Sequence, residues 1–298
     1  MDYRKPALTF EAQLQQLKDR GLNVADEPAA LQWLSQVSYY RLSAYSLPFR
    51  QSDRFAPGTD FSDIVALYDF DRRLRLLMLD AIERIEVSVR TALTYDLAHA
   101  HGPFGHVDPR NFAPAFRHAR FMEELEKEEA RARETFAEHF RAKYTSEAHL
   151  PIWMATELVS FGALSQLYAH ASPMIRRSVA SRYGVPEGVL GSWLHALSYV
   201  RNVCAHHKRL WNRDLAIRPM IPRNDRVLSR LNMPNRRFAA IFAVAIHLTK
   251  RIAPDSTWAE RVGDLLGESP FVPLPPLGLG AFSSARQFVQ RFGASEQS

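Results

Sequence analysis

The sequence is poor in cysteine and in long apolar runs. Its 298 residues include a single cysteine, Cys204, so neither an intramolecular disulfide nor a cysteine-based zinc site can form. That scarcity is typical of a reducing cytoplasm. The apolar run at residues 238–248 is far shorter than the roughly 18 residues of a membrane span. Residues 1–6 have no apolar core, so we expect neither a signal peptide nor a membrane association.

Lysine is also scarce, with 6 Lys against 32 Arg, and the net charge is +6. Residues 1–150 carry a net charge of −3 and residues 151–298 one of +9, much of it in residues 201–237. Arginine binds phosphate through two parallel hydrogen bonds, so a local arginine cluster favours a nucleic-acid partner. The overall excess of arginine has a simpler explanation in genomic base composition.

Alternating, strand-like patterns are scarce, and apolar residues recur mostly at helical spacing, which predicts an all-α fold. The clearest helix is predicted over residues 63–100, which contain no glycine or proline and carry an apolar stripe. Charges of both signs in residues 117–144 predict an exposed, ion-paired helix. Further helices are predicted over residues 9–20, 26–37, 151–169, 173–183, 186–206 and 236–252.

Two irregular stretches stand out. His99, His101 and His106 surround the predicted end of the long helix at Gly102. A metal site is one interpretation, but no carboxylate-rich frame lies nearby, so we predict a solvated loop. The proline-rich residues 270–276 are typical of an extended packing strap or, alternatively, of a partner-binding polyproline segment.

The segment from residue 193 to 213 concentrates the chemically active side chains. At about 100° per residue, one face of its helix is apolar and the opposite face is polar. Arg201 is the exception because it points into the apolar sector, where it needs a carboxylate, an interface or an anionic ligand. The apolar face consists of Leu190, Trp193, Leu194, Leu197, Val200 and Cys204, and the polar face of His195, Tyr199, Asn202 and His206.

Arg201, Asn202 and His206 could cleave RNA without a metal ion. A histidine can accept a proton from a ribose 2′-OH and return one to the leaving 5′-oxygen. Arginine can stabilise charge on the phosphate, and asparagine can orient the imidazole or contact the phosphate. The same residues could instead cap the helix or form a buried polar network, and the spacing leaves both interpretations open.

Helical geometry adds a constraint on this site. Arg201 and His206 lie about 140° apart on an ideal helix, which would splay their side chains. We therefore expect either a distortion near His206 or a second helix or subunit that completes the site, and we favour a two-fold dimer. His207 ranks below His206 because it leaves the polar face.

Four stretches combine aromatic, arginine and small residues in a fixed order. They are Leu34–Phe49 around Ser38-Tyr39-Tyr40-Arg41-Leu42-Ser43-Ala44-Tyr45, Tyr68–Arg90 around Phe70-Asp71-Arg72 and Ile82-Glu83-Arg84-Ile85-Glu86-Val87, Pro151–Leu167 with Trp153-Met154, Glu157 and Ser160-Phe161-Gly162-Ala163-Leu164, and Arg201-Asn202-Val203-Cys204-Ala205-His206-His207 through Trp211-Asn212. Together they resemble the bacterial abortive-infection (Abi) proteins of the AbiD/AbiF type, within the HEPN superfamily of helical nucleases. The resemblance covers about residues 4–250.

HEPN nucleases are known for an arginine, a polar residue, three further positions and a histidine, a pattern that Arg201, Asn202 and His206 fill. The resemblance implies a metal-independent endoribonuclease without a cofactor, active as a homodimer, that serves as a toxin in phage defence. It also implies restraint by an RNA or protein antitoxin. In domain terms it implies a HEPN-like core over residues 61–253, an N-terminal helical extension (1–60) packed on it, and a C-terminal extension (254–298) with the proline-rich strap.

Further residues are assigned supporting roles. Glu83 or Glu86 could pair with Arg201 or orient a histidine, and an exposed ion-pair role is the alternative. Tyr39, Tyr40 and Arg41 could stack on RNA bases, although packing is the favoured interpretation. Contacts to the RNA flanking the cleaved bond are predicted for His195, His207, Lys208, Arg209 and Arg213.

Two other functions remain open at this point. A non-catalytic RNA-binding or regulatory HEPN-like protein could use the same arginine and histidine to hold phosphate without cleaving it. A purely structural helical protein with a basic surface is the third interpretation.

Overall fold

The structure is a computed structural model that describes residues 2, 6–222, 234–268, 277–279 and 287–290. The described residues are mainly helical, with one two-stranded hairpin in which Arg50–Gln51 pairs antiparallel with Arg54–Phe55. The all-α prediction is therefore confirmed. The helices are α1 (Phe10–Asp19), α2 (Glu27–Val37), α3 (Tyr39–Ser46), α4 (Phe61–His101), α5 (His118–Arg131), α6 (Thr135–Lys143), α7 (Ile152–Leu158), α8 (Phe161–His170), α9 (Pro173–Arg182), α10 (Glu187–Ala205), α11 (Phe238–Ile252) and α12 (Trp258–Glu268).

Helix α4 is the central element, about 60 Å long at 1.5 Å per residue. It begins with a capping box: Asp60 accepts from the Ser62 amide at 2.8 Å, and Asp63 accepts from the Asp60 amide at 2.9 Å. It packs against α3, α7, α9, α10, α11 and α12. This one helix therefore connects the N-terminal helices to those that carry the predicted site.

Helix α11 is buried on all sides from Phe238 to Thr249, as expected for an interior helix. Its side chains belong to a single connected apolar cluster that also contains Leu14 of α1, Leu67 of α4 and Trp258 of α12. The domain boundaries at residues 60 and 253 remain predictions.

The predicted exposed helix over residues 117–144 is two helices, and they are not wholly exposed. Helix α5 buries Phe121, Met122, Leu125 and Glu129, and the chain turns at Ala132 before α6. Arg141 of α6 donates to the backbone oxygens of Glu129 and Ala132. These contacts hold backbone oxygens at the end of α5, where the sequence has no glycine or proline to end the helix.

The helix predicted over residues 151–169 is also divided, into α7 and α8. Val159 is extended, and the Ser160 hydroxyl accepts from the Ala163 amide at 3.2 Å to cap α8. Residues 39–46 form helix α3, which was not predicted.

The solvated-loop prediction for the three histidines is wrong. His99 and His101 belong to the last turn of α4, where His99 is exposed and His101 half-buried, and His106 is fully buried. Neither ring nitrogen of His106 has a hydrogen-bond partner among the described residues. Burial, with smaller contributions from the charges of His149 and His118, lowers the pKa of His106 to about 4.

Two of the stretches discussed from the sequence lie wholly or partly outside the described residues. The proline-rich residues 270–276 lie outside the described residues, as do residues 223–233 of the basic stretch. Among the described helices, none combines the length and the apolar character needed to cross a membrane.

Candidate functional site

Helix α10 carries the predicted site residues, and its two faces are as predicted. Leu190, Trp193, Leu194, Leu197, Val200 and Cys204 are buried. His195, Asn202 and His206 are exposed, and Tyr199 is half-buried. Burial raises the pKa of the Cys204 thiol to about 12, so this side chain packs as a neutral apolar group.

The helix ends immediately before His206, in a Schellman motif. His207 adopts the left-handed conformation (φ 54°), and the Lys208 amide donates to the Val203 carbonyl at 2.9 Å. The left-handed region is uncommon for residues other than glycine, so the turn needs support from outside the helix. Arg41 of α3 supplies it by donating from Nη1 to the His207 carbonyl at 2.7 Å.

The turn after α10 is held by a second, buried group of side chains that we call the Asp71 clamp: Tyr45, Asp71 and Arg75. Asp71 is fully buried and accepts from the Tyr45 hydroxyl at 2.7 Å and from Arg75. It also accepts from the backbone amides of Leu210 and Trp211, at 3.1 and 2.8 Å. The clamp thus ties the chain beyond His207 to the middle of α4.

Ionisation within the clamp is governed by its burial. Desolvation raises the pKa of the Asp71 carboxyl above its ordinary value, while Arg75, Tyr45 and the two backbone amides oppose that rise. Burial and the neighbouring Asp71 charge raise the pKa of Tyr45 as well, so Tyr45 remains a hydrogen-bond donor.

Arg201 lines two adjacent cavities, of about 350 and 580 Å³, that we together call the Arg201 groove. The two cavities share Glu86, Arg90, Glu157 and Arg201. Helix α5 forms the opposite wall of the larger cavity with Phe121, Glu124, Leu125, Lys127, Glu128 and Arg131. The charged segment therefore borders the candidate site.

Two arginines of the groove differ in the number of hydrogen bonds and ion pairs that their guanidinium groups make. Arg90 is buried and donates to Glu86 at 2.6 Å and to the backbone oxygens of Thr156 and Val159. Half-buried Arg201 makes one long hydrogen bond, to Asn202 Oδ1 at 3.4 Å, and no ion pair with a described residue. Its remaining N–H groups are therefore available to an anion.

Glu86 is thus the partner of Arg90 and not of Arg201, while Glu83 lines the smaller cavity beside Arg201. The fold brings Arg201 together with Asn202. No hydrogen bond between described residues joins Arg201 to His206, which is exposed after the last helical residue.

The predicted RNA contacts are distributed around the end of α10. Lys208 is exposed, and His195 lies exposed about three turns before His206. Arg209 donates to the Ala44 carbonyl at 2.7 Å, and Arg213 donates to the Arg209 carbonyl at 2.7 Å. Both arginines therefore also hold the fold of the turn.

The tyrosines of α3 separate into two roles. Tyr39 is half-buried and accepts from Arg20 at 2.9 Å, as packing predicts. Tyr40 is 88% exposed, so the packing interpretation is wrong for it.

No group of three or more His, Cys, Asp or Glu side chains in the described ranges is arranged to hold a metal ion.

Comparison with known families matches residues 32–212 to the family model of Abi-like proteins. The chain belongs to the Abi-like family. The matched range begins within α2 and ends one residue after Trp211, so it includes Arg41, the Asp71 clamp, the Arg201 groove and the turn after α10. No curated protein and no solved structure matches the chain.

Sequence reasoning about this Abi-like protein missed the role of Asp71. Its signal was available: Asp71 interrupts the apolar stripe of α4 between Phe70 and Leu74, where a carboxylate must find buried donors. Glu157 had been noted only within a motif. Its position in the groove depends on how α7 packs against α4, which local sequence does not encode.

Proposed function

We propose that this Abi-like protein is an abortive-infection toxin of the AbiD/AbiF type that acts in phage defence as a metal-independent HEPN endoribonuclease. The observation that supports it best is the guanidinium of Arg201, which lies in a groove, has no ion-pair partner among the described residues, and precedes exposed His206 by about one and a half helical turns. An arginine that lacks a carboxylate partner is suited to bind a phosphate.

The proposed reaction is an attack of the ribose 2′-oxygen on the adjacent phosphorus. His206 accepts the 2′-OH proton, the bond from phosphorus to the 5′-oxygen breaks, and a protonated histidine returns a proton to that oxygen. Arg201 stabilises the charge that develops on the phosphate, and Asn202 fixes the arginine by their hydrogen bond. The products are a 2′,3′-cyclic phosphate and a 5′-hydroxyl.

A homodimer is proposed to complete the site. Arg201 lies inside the groove while His206 is exposed beyond the helix end, so one protomer presents the two side chains in different directions. A two-fold axis near the end of α10 would set His206 of one copy opposite Arg201 of the other. An RNA or protein antitoxin would then act by covering this shared surface.

Non-catalytic RNA binding is the second candidate. The lack of a hydrogen bond between Arg201 and His206 among the described residues favours it, because phosphate binding does not require the pair to meet.

The first experiment compares the wild type with Arg201→Ala and His206→Asn on mixed RNA in the presence of EDTA. We expect cleavage with 2′,3′-cyclic phosphate ends by the wild type and a loss of about 10²–10³-fold or more in each variant. His139→Asn is the control, since it removes an exposed histidine of α6 that lines neither cavity of the Arg201 groove.

The outcomes separate the candidates. RNA binding without cleavage by the wild type would support the non-catalytic function. Undiminished cleavage by both variants would remove these residues from the mechanism. In cells, expression of the wild type but not of either variant should arrest growth in the absence of an antitoxin.

A mixing experiment tests the shared site. The Arg201→Ala and His206→Asn variants are mixed so that they form heterodimers with one copy of each. If one site combines Arg201 and His206 of different copies, each such heterodimer retains one intact site. Re-equilibrated equal mixtures should then recover about a quarter of wild-type activity. A mixture as inactive as its components, with heterodimers verified by mass, would place both residues in one protomer.

A further inference from the structure

A cavity of about 360 Å³ opens between α4 and α7 next to the Arg201 groove. We call it the Trp153 pocket; Trp153 lies on α7, while Tyr95 and His99 lie on α4. It shares Arg90 and Glu157 with both cavities of the Arg201 groove, so it lies directly beside them. A strand of RNA bound at Arg201 would therefore pass this pocket.

Trp153 is unusually placed for a tryptophan of this protein. Its residue surface is 48% exposed, whereas Trp193, Trp211 and Trp258 are fully buried. Tyr95 is 55% exposed, and its ring lies 3.9 Å from that of His99. Exposed aromatic rings at a cavity are typical of ligand sites, because they present apolar faces to which a flat ligand can stack.

Glu157 lies one helical turn after Trp153 and lines the same pocket. It makes no ion pair or side-chain hydrogen bond with a described residue, so its carboxylate is a free acceptor. A carboxylate repels phosphate, but it accepts hydrogen bonds from N–H groups on the edge of a base. The pocket thus combines a stacking surface with an acceptor, while Arg201 supplies the nearby cation.

We propose, building on the ribonuclease function above, that the Trp153 pocket binds one base of a single-stranded RNA. The base stacks on Trp153 and donates its edge to Glu157, while a neighbouring phosphate binds Arg201. Guanine is the base best suited to Glu157, because its N1–H and N2–H donate side by side to the two carboxylate oxygens. Paired bases of a duplex are excluded, since their edges are occupied and their faces are stacked.

Fluorescence can test the proposal, because Trp193, Trp211 and Trp258 are fully buried and Trp33 is half-buried and lies outside the pocket. The His206→Asn variant, used to prevent cleavage, is titrated with a short guanine-containing single-stranded RNA. We expect quenching of tryptophan emission, and loss of that quenching in His206→Asn/Trp153→Phe with most of the affinity retained. Trp153→Ala should weaken binding by about 5- to 150-fold, the range for loss of one stacked base. Tyr144→Ala, which removes another half-exposed aromatic ring away from the pocket, is the control.

Glu157→Gln tests the recognition of the base edge. We expect it to reduce the preference for guanine over uracil at least several-fold, and Glu126→Gln, an exposed glutamate outside the groove, to leave that preference unchanged. A duplex of the same sequence should not quench the emission.

The outcomes distinguish this proposal from the ribonuclease proposal. If the wild type does not cleave but Trp153→Ala weakens binding and quenching depends on Trp153, the pocket stands and the catalytic function fails. If the wild type cleaves while Trp153→Ala and Glu157→Gln match it in affinity, kcat/KM and base preference, the pocket is refuted and the ribonuclease stands.

Discussion

The Asp71 clamp holds the chain just after the turn that follows α10, and Arg201 of the groove precedes that turn, yet their charged groups differ in burial and in hydrogen bonding. In the clamp, Asp71 is fully buried and accepts from two side chains and two backbone amides. In the groove, half-buried Arg201 has one long hydrogen bond. A satisfied buried network fixes a backbone, while an unsatisfied cation at a cavity retains binding capacity for a ligand. The Asp71 clamp therefore fixes the turn after α10, and the Arg201 groove beside that turn is the proposed site for the RNA phosphate.

The strongest test of this contrast removes the clamp carboxylate. Asp71→Ala leaves Arg75 buried without its charge partner and two backbone amides without an acceptor. We expect the free energy of unfolding to fall by about 3–5 kcal/mol in urea denaturation. Asp69→Ala, whose exposed pair with Arg72 is worth under about 1 kcal/mol, is the matched control on the same helix. Equal losses in the two variants would show that the clamp has no special role.

His106 sharpens the comparison, because it is a buried polar group without hydrogen-bond partners among the described residues. Its pKa of about 4 lies below the unfolded value of 6.5, so the unfolded chain binds more protons between these pH values. Its contribution to stability is present above pH 6.5 and is lost as pH falls towards 4, by up to about 3 kcal/mol.

His106→Leu should flatten the stability profile between pH 7 and pH 4, measured by urea denaturation at each pH. His195→Asn, at an exposed position, should keep the wild-type slope. If the stability of His106→Leu fell with pH as steeply as that of the wild type, protonation of His106 would not be the cause of the loss.

The smallest effect on stability is expected at Arg41, which joins the two regions through the His207 carbonyl. Arg41→Ala removes one exposed hydrogen bond and should cost about 1 kcal/mol or less in stability. If the turn must be held for His206 to act, kcat should fall several-fold more than Gln36→Ala lowers it. Gln36 is the neighbouring control because its side chain is exposed on α2 and has no assigned role. An Arg41→Ala enzyme with unchanged kcat would show that the Asp71 clamp holds the turn alone.

Helices with a strong apolar pattern and clear end signals could be predicted from the local sequence. The long helix predicted over residues 63–100 is α4, from Phe61 to His101, because its apolar stripe, its capping box and the following Gly102 agree. The helices predicted over 117–144 and 151–169 were each divided in two. The break at Ala132 is held by Arg141 of α6, which lies outside a local window. The break at Val159 has a local signal that was missed, the cap that Ser160 forms on α8.

The sequence by itself determined the helical class and the two faces of α10, since both follow from the 3.6-residue period and the burial of apolar side chains. Tertiary structure decided where the charges go: Glu86 pairs with Arg90, Asp71 reaches the backbone after α10, and Arg201 is left in a groove beside Trp153 and Glu157. The physical reason is that the free energy of a charge depends on the partners and the water around it, and packing of distant segments sets both.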